Sequence, residues 1–135
     1  MNLSEIDGSN WTILIVDDEP DNLGVAEQLL KFTGAAVYTA CNGKEGLEVL
    51  EKMEQPSFIL LDLSMPEMDG WEMLEEMRKM NGFAGVPVIA LTAHAMDGDA
   101  EAAFEAGFNG YIMKPVLLEP FFDEIYRVLD ENGKE

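Results

Sequence analysis

Residues 57–62 read Ser-Phe-Ile-Leu-Leu-Asp, a short apolar run that ends abruptly on a carboxylate. Four consecutive large apolar residues, Phe58–Leu61, predict a strand that is buried on both faces of a sheet. A buried strand gains no stability by ending in a charge. We therefore expect Asp62 to lie at the carboxyl end of this strand, where a parallel sheet opens to solvent.

Four further apolar runs have the length and composition of strands, and amphipathic helical segments separate them. These runs are Trp11–Val16, Ala35–Ala40, Val86–Leu91 and Gly110–Met113. Five strands that alternate with five helices through short loops predict an α/β protein with a parallel sheet and helices on both faces. The expected architecture is the three-layer, flavodoxin-like (βα)5 fold with strand order 2-1-3-4-5.

Local signals place the ends of several helices. Pro20 suits the first residue of the first helix, and Gly34 suits its stop. Asn42 and Asp69 are expected to cap the second and third helices. Pro120 is expected to open the last helix. The predicted organisation is a loose polar leader at residues 1–10, one domain at 11–131 and a polar tail at 132–135.

The composition limits the classes of partner. The chain has 135 residues and a formal net charge of −19, from 27 acidic and 8 basic side chains. Such a field repels nucleic-acid phosphates and anionic lipid, and it favours a cation or a partner with basic patches. No apolar run approaches the about 20 residues that span a bilayer, and there is no signal peptide. We expect a soluble, cytoplasmic protein in which the single cysteine, Cys41, is a small buried thiol.

Polar residues follow four of the five predicted strands. Asp17 and Asp18 end the first strand, Asp62 the third, Thr92 the fourth and Lys114 the fifth. In open parallel sheets the carboxyl ends of the strands form the binding crevice, at the point where the strand order reverses. These side chains are therefore expected to converge on one crevice between the first and third strands.

Three carboxylates in one crevice require compensation. Two of them about 4 Å apart repel by about 4 kcal/mol at an effective dielectric constant of about 20, and Lys114 alone does not offset every pair. Either one carboxyl group is protonated, or a hard divalent cation such as Mg²⁺ binds there. With the cation in place, Asp62 becomes a candidate nucleophile toward a phosphoryl group, and Lys114 and Thr92 become its oxygen ligands.

Each of these residues also has an ordinary structural explanation. One Asp in the first loop would cap a helix, Thr92 would end a strand, and Lys114 would lie on the surface. Tyr111 would be a half-buried core residue, and His94 would be a loop residue because no second His or Cys joins it. The functional interpretation depends on the joint arrangement and not on any one position.

Five motifs occur along the chain in an order and at a spacing that resemble a known family. They are Ile13–Asp18, Ile59–Asp62, Met65–Gly70, Val88–Ala93 and Tyr111–Pro115. Together they resemble the receiver domain of two-component response regulators, across nearly everything from residue 11 to about residue 131. The resemblance implies a chemotaxis-regulator-like phosphoacceptor, which takes part in its own phosphorylation and dephosphorylation but is not a turnover enzyme.

The resemblance also implies roles for individual residues. Asp62 would be the phosphorylated residue, and Mg²⁺ or Mn²⁺ would bind Asp17, Asp18, Asp62 and the backbone carbonyl of Ser64. Lys114 and Thr92 would contact the phosphoryl group, and the Lys114-Pro115 bond would be cis. Thr92 and Tyr111 would form the switch pair, while Ser64 and His94 would tune the dephosphorylation rate.

The partners implied by the family are a sensor histidine kinase or a histidine phosphotransfer protein, and an unidentified downstream protein. The face built from the fourth helix, fifth strand and fifth helix would change on phosphorylation, and it would bind the partner or form a weak dimer of an otherwise monomeric protein. His94 within Thr-Ala-His-Ala-Met also resembles receivers of phosphorelays, which pass the phosphoryl group on. The chain is expected to be a stand-alone receiver.

Other readings of the same residues remain open. An Asp-nucleophile phosphatase would need its two acids separated by one residue after the first strand, but Asp17 and Asp18 are adjacent. A flavodoxin would need a phosphate loop rich in Thr, Ser and Gly, and a Ca²⁺ loop that starts at Asp17 or Asp18 lacks the Gly and Glu of that motif. A receiver-like module that binds partners without phosphorylation is the last alternative.

Overall fold

The apolar runs form one parallel sheet, and helices cover both of its faces. The computed structural model describes residues 2–93 and 99–132. The strands are β1 (Thr12–Val16), β2 (Ala36–Ala40), β3 (Phe58–Asp62), β4 (Val88–Thr92) and β5 (Gly110–Met113). The helices are α1 (Pro20–Phe32), α2 (Gly43–Lys52), α3 (Gly70–Arg78), α4 (Asp99–Ala106) and α5 (Leu118–Glu131), with a short 3-10 helix at Leu3–Glu5.

The strand order is β2-β1-β3-β4-β5, with every neighbouring pair parallel, which confirms the predicted flavodoxin-like fold. β3 lies in the middle of the sheet, and every residue of it is buried. Val16 at the end of β1 is in register with Leu61, and Asp62 is in register with Leu91 of β4. This register brings the carboxyl ends of β1, β3 and β4 to one edge of the sheet.

Alternate side chains of each central strand enter different cores. Phe58 and Leu60 of β3 pack in the core beneath α1 and α5, whereas Ile59 and Leu61 pack beneath α2, α3 and α4. This two-residue period follows from the pleat of a strand, and helices on both faces require both sets to be apolar. None of the described helices is long and apolar enough to cross a bilayer.

The N-terminal residues pack against the domain, although the sequence predicts a loose leader. Ile6 is buried in the core beneath α1 and α5, where Leu3 also packs. The backbone N–H of Gly8 donates to the Thr33 carbonyl at 2.8 Å, at the end of α1. The Trp11 ring then meets Phe58 edge-on at 5.7 Å. Leu3 and Ile6 therefore anchor this mostly polar N-terminal stretch on the domain.

The described helix ends follow the local sequence signals with one difference. Asp69 Oδ1 accepts from the Glu72 N–H at 2.9 Å, and Asn42 Oδ1 accepts from the Glu45 N–H at 2.8 Å. Gly34, just after α1, has a φ of 96°, a conformation that glycine adopts without strain. α5 begins at Leu118 and not at Pro120. Proline is tolerated there because the N–H groups of a helix's first turn have no intrahelical partner.

Cys41 is exposed, so the prediction of a buried thiol is wrong. The residue follows the last residue of β2, an edge strand whose outer side is only partly covered. Its thiol donates to Glu45 Oε2 at 3.2 Å, and this hydrogen bond raises the pKa of the thiol. The group is therefore held in its protonated, less reactive form.

Glu124 of α5 joins that helix to the edge strand β5. Its Oε2 accepts from the backbone N–H of Tyr111 at 2.8 Å, and its two oxygens accept from Arg127 at 2.8 and 2.9 Å. Burial raises the pKa of Glu124, but the hydrogen bonds from Arg127 and Tyr111 outweigh burial and leave that pKa below its ordinary value. The carboxylate is therefore the form that the fold stabilises.

We expect Gly70→Ala to destabilise the fold by at least about 2 kcal/mol, because the new methyl group would overpack the site. A Cβ at Gly70 would lie 2.4 Å from the backbone oxygen of Asp62. The control is Gly24→Ala in α1, where a Cβ would meet nothing within 4 Å, and which should stabilise by about 0.5–1 kcal/mol. Urea denaturation measures both free energies of unfolding. Equal values for the two variants would contradict the prediction.

We expect Glu124→Gln to lower the free energy of unfolding by about 1–2 kcal/mol at pH 7, because hydrogen bonds to a charged group are lost. A carboxylate whose pKa is lowered by folding stabilises the protein above its unfolded pKa and loses that effect as the pH falls through the folded pKa. The difference between variant and wild type should therefore shrink on acidification. Urea denaturation from pH 7 down to pH 3 measures it, and a constant difference would refute the assignment.

Candidate functional site

The carboxyl edge of the sheet contains most of the buried polar side chains of the described residues. Asp17, Asp62, Thr92 and Lys114 are buried there, with Asp17 only 1% exposed and Asp62 3%. Thr33 is the fifth buried polar residue, and it lies at the opposite end of the sheet, after α1. The sheet topology thus brings together side chains from the ends of four strands.

The three aspartates form a cluster of carboxylates that can hold a cation. Asp17, Asp18 and Asp62 each offer one oxygen, and these oxygens lie within 4.8 Å of one another. Asp17 and Asp62 are buried, whereas Asp18 is exposed and forms the solvent side of the cluster. Hard oxygen ligands with an open side have the chemistry that Mg²⁺ requires.

One oxygen of Asp17 bears directly on whether a cation fits. Asp17 Oδ1 accepts hydrogen bonds from the Glu19 N–H at 2.9 Å and from Lys114 Nζ at 3.1 Å. Asp17 Oδ2 is buried and accepts no hydrogen bond, although Lys114 Nζ lies 3.0 Å from it. The ion pair with Lys114 compensates this buried oxygen in part, and a bound cation would complete its compensation. The donor set therefore fits Mg²⁺.

Lys114 lies among three carboxylates. Its Nζ donates to Asp17 Oδ1 at 3.1 Å, to Asp62 Oδ2 at 3.1 Å and to Glu19 Oε1 at 3.0 Å. Burial lowers the pKa of the Lys114 ammonium, but the hydrogen bonds to Glu19 and Asp17 outweigh it and raise that pKa above its ordinary value. Lys114 is therefore a permanently charged donor at the floor of the site. The Lys114-Pro115 peptide bond is cis.

Asp62 is held at both oxygens. Oδ1 accepts from the backbone N–H of Ser64 at 3.0 Å, and Oδ2 accepts from Lys114. Burial raises the pKa of Asp62, the Ser64 hydrogen bond lowers it, the neighbouring Asp17 raises it and Lys114 lowers it, with a net value of about 7. Burial and the neighbouring Asp17 therefore favour the protonated carboxyl group, and a cation nearby would favour its charged, nucleophilic form.

The loop after β3 returns closely over Asp62. The backbone N–H of Gly70 donates to the Leu63 carbonyl at 3.2 Å, which ties the start of α3 to the end of β3. Glycine is required at residue 70 because the backbone of Asp62 and Leu63 leaves no room for a side chain. Ser64 and Thr92 line a cleft of about 390 Å³ that opens between this loop and α4.

Thr92 and Tyr111, the expected switch pair, lie on neighbouring strands. Thr92 ends β4, and its carbonyl accepts from the Lys114 N–H at 2.8 Å. Tyr111 of β5 is half-buried, and its Oη is buried without a hydrogen-bond partner among the described residues. Burial and the charge of Asp99 raise the pKa of the Tyr111 hydroxyl, so it stays a neutral donor. His94 lies outside the described residues.

Glu19 is a member of the site that the sequence analysis missed. It follows the two aspartates and precedes the first residue of α1, so its position predicts no more than a helix end. Its side chain is 52% exposed, yet one carboxylate oxygen reaches the buried Lys114 ammonium. The only available signal was its place in the same loop as Asp17 and Asp18.

Comparison with known proteins agrees with this geometry. The family model of the response regulator receiver domain matches residues 13–126. The chain is 44% identical over 104 residues to an uncharacterized 14.6 kDa protein of Leptolyngbya boryana, covering 77% of this chain and 79% of that one. It is 32% identical over 120 residues to the polar-differentiation response regulator DivK of Brucella anthropi, a match that covers 89% of this chain and 97% of that protein.

Some relatives are much longer than this chain. It is 37% identical over 128 residues to the sensor histidine kinase CheAY of Helicobacter pylori, a match that covers 94% of this chain and only 16% of the kinase. Sequence matches therefore include receiver segments within larger signalling proteins as well as proteins of similar length.

Solved structures have the same architecture. A CheY-like response regulator receiver domain protein from Methanospirillum hungatei JF-1 superposes with a TM-score of 0.80 at 35% identity, covering 92% of this chain and 97% of that one. The receiver domain of sensor histidine kinase PA1611 from Pseudomonas aeruginosa PAO1 superposes with a TM-score of 0.77 at 32% identity, covering 91% of this chain and 98% of that one. That structure has a magnesium ion in the active site cleft. The chain belongs to the response regulator receiver domain family of two-component signalling.

Proposed function

We propose that this receiver domain accepts one phosphoryl group on Asp62 in a Mg²⁺-dependent reaction. The observation that carries the proposal is the arrangement of two buried carboxylates, Asp17 and Asp62, about the Lys114 ammonium, with Asp18 on the open side. Purely structural residues do not require two buried acids beside an exposed third. Charged groups poised in one crevice are typical of phosphoryl transfer.

The proposed metal ligands are Asp17, Asp18, Asp62 and the backbone carbonyl of Ser64, and Mn²⁺ is a possible substitute for Mg²⁺. The buried Asp17 Oδ2, which accepts no hydrogen bond, supports this assignment from the structure. The magnesium ion in the cleft of the related PA1611 receiver domain supports it from the family. When bound, the cation would offset charge on the transferring group.

The proposed reaction is a direct displacement at phosphorus. A carboxylate oxygen of Asp62 forms a new O–P bond while the bond from phosphorus to the donor's nitrogen breaks. The electron pair of that bond leaves with the imidazole of the phosphohistidine donor, which departs neutral when its other ring nitrogen carries a proton. Asp62 gives up no proton, because its carboxylate form reacts. Lys114 and Thr92 would donate hydrogen bonds to the phosphoryl oxygens.

The donor we propose is a sensor histidine kinase or a histidine phosphotransfer protein. This class is supported by receiver segments found within histidine kinases such as CheAY. We propose that Thr92 and Tyr111 report phosphorylation, because Thr92 is buried at the site on the neighbouring strand and Tyr111 Oη is buried without a hydrogen-bond partner among the described residues. The α4–β5–α5 face would then change for a downstream protein, a phosphorelay partner or a second, weakly bound copy.

A small-molecule phosphodonor tests the acceptor directly. With acetyl phosphate and Mg²⁺, we expect the intact mass of the protein to rise by one phosphoryl group that is stable in acid and labile in base. Asp62→Asn should abolish the gain, since the amide is not a nucleophile at phosphorus. Chelation of Mg²⁺ should suppress the gain in the wild type. The assignment fails if wild type and variant gain the same mass, or if the wild type gains none.

Metal binding is tested separately by thermal unfolding. At a Mg²⁺ concentration about 100 times the dissociation constant, binding should stabilise the wild type by about 2.7 kcal/mol. Asp18→Asn should remove most of this stabilisation, and exposed Asp21 provides a control, Asp21→Asn, that removes the same charge from outside the cluster. NaCl at equal ionic strength corrects for general screening. Equal Mg²⁺ shifts in all three proteins would argue against the cluster as the binding site.

A further inference from the structure

We propose that Glu19 is a positioning residue for Lys114. Its carboxylate accepts a hydrogen bond from the Lys114 ammonium in the unphosphorylated state, and this hydrogen bond breaks when Lys114 binds the incoming phosphoryl group. The inference rests on the proposed function, and it adds a residue that controls how readily Asp62 is phosphorylated. Glu19 is the third acceptor of the Lys114 ammonium, beside Asp17 and Asp62. It is also the only one of the three that is half exposed.

Glu19 is fixed from three directions. Its Oε1 accepts from Lys114 Nζ at 3.0 Å, and its Oε2 accepts from Asn22 Nδ2 at 3.1 Å. Its backbone N–H donates to Asp17 Oδ1 at 2.9 Å. The carboxylate therefore bridges the first turn of α1 to the residue that follows β5. Such a bridge is a built contact and not a chance approach of two flexible side chains.

The hydrogen-bonding capacity of Lys114 is fully used. An ammonium group has three N–H donors and no acceptor, and the three carboxylates take one donor each. A phosphoryl oxygen that pairs with Lys114 must therefore displace one of these acceptors. The choice of acceptor depends on what each carboxylate loses when its hydrogen bond to Lys114 breaks.

Burial decides which contact breaks. The side chains of Asp17 and Asp62 are 1% and 4% exposed, so while Asp62 is still a carboxylate, water cannot replace a lost Lys114 hydrogen bond at either. The Glu19 side chain is 52% exposed, so water replaces its lost partner at little cost. Lys114 therefore exchanges Glu19 for the phosphoryl oxygen. In this exchange Glu19 favours the unphosphorylated protein.

The test uses acetyl phosphate with Mg²⁺. A carboxylate oxygen of Asp62 attacks phosphorus, the bond between phosphorus and the acetyl oxygen breaks, and acetate leaves with the electron pair. No proton and no further reagent is required. The measured quantity is the initial rate of phosphorylation at a subsaturating acetyl phosphate concentration, followed by intact mass.

Three variants separate the contact from the charge. Glu19→Gln removes the ion pair with Lys114, and Asn22→Ala releases the second oxygen of Glu19 without changing any charge. Asp21→Asn is the matched control, because it removes one exposed negative charge from the same turn of α1. We expect Glu19→Gln to raise the rate about two- to fivefold over Asp21→Asn, and Asn22→Ala to raise it less but in the same direction.

A second readout needs no metal and no reaction. In protein labelled with ¹⁵N-lysine, the Lys114 ammonium should give a protected resonance, because its side chain is 3% exposed. Solvent exchange of that resonance should speed up in Glu19→Gln and Asn22→Ala, and should stay at the wild-type rate in Asp21→Asn. Loss of the signal in Lys114→Arg identifies it.

The outcomes are distinct. Failure of the wild type to take up phosphate refutes the proposed function, whereas wild-type uptake with equal rates in Glu19→Gln and Asp21→Asn refutes only the role of Glu19. A slower Glu19→Gln variant also overturns the proposal, since Glu19 would then assist transfer. An effect in Glu19→Gln without one in Asn22→Ala would overturn the positioning role, since Glu19 would then act through its charge and not through its fixed place. Thermal midpoints near that of the wild type exclude loss of folding.

Discussion

The ammonium of Lys114 is the charge on which the site depends. Two carboxylates at the carboxyl ends of β1 and β3 are removed from water almost completely, and their repulsion would be prohibitive without a cation between them. One buried lysine offsets part of that cost, and the exposed carboxylates of Asp18 and Glu19 add negative charge at the mouth. The site therefore keeps an excess of negative charge, which favours a cation.

Sheet geometry explains why these groups meet. Parallel strands bring their carboxyl ends to one edge, and the register places the residue after β1 beside the last residue of β3. The loops then supply the fine adjustment. Gly70 lets α3 start against the backbone of Asp62, and the Ser64 amide holds one oxygen of that carboxylate. The strands set which residues meet, and the loops set which atoms point at one another.

Much of this was predictable because it follows from apolar runs and strand ends. The five strands follow from the apolar runs, and their order is the common one for five strands that alternate with helices. Given that order, the convergence of Asp17, Asp62 and Lys114 follows from where the buried segments stop. Glu19 was not predictable as a Lys114 partner, because a glutamate before a helix usually faces solvent. The packed N-terminal residues and exposed Cys41 were also missed. Their environment depends on which helix covers which strand edge, and a single sequence does not encode that locally.

The contact of Glu124 with β5 has a consequence for how other proteins can bind. β5 is an edge strand, and edge strands invite another chain to extend the sheet by main-chain hydrogen bonding. The Tyr111 N–H is already bonded to the Glu124 carboxylate, so it is withheld from such β-augmentation. A protein that recognises this side of the molecule must therefore read the side chains of α4, β5 and α5. Recognition through the shape and charge of these side chains is thereby favoured over backbone pairing at this edge.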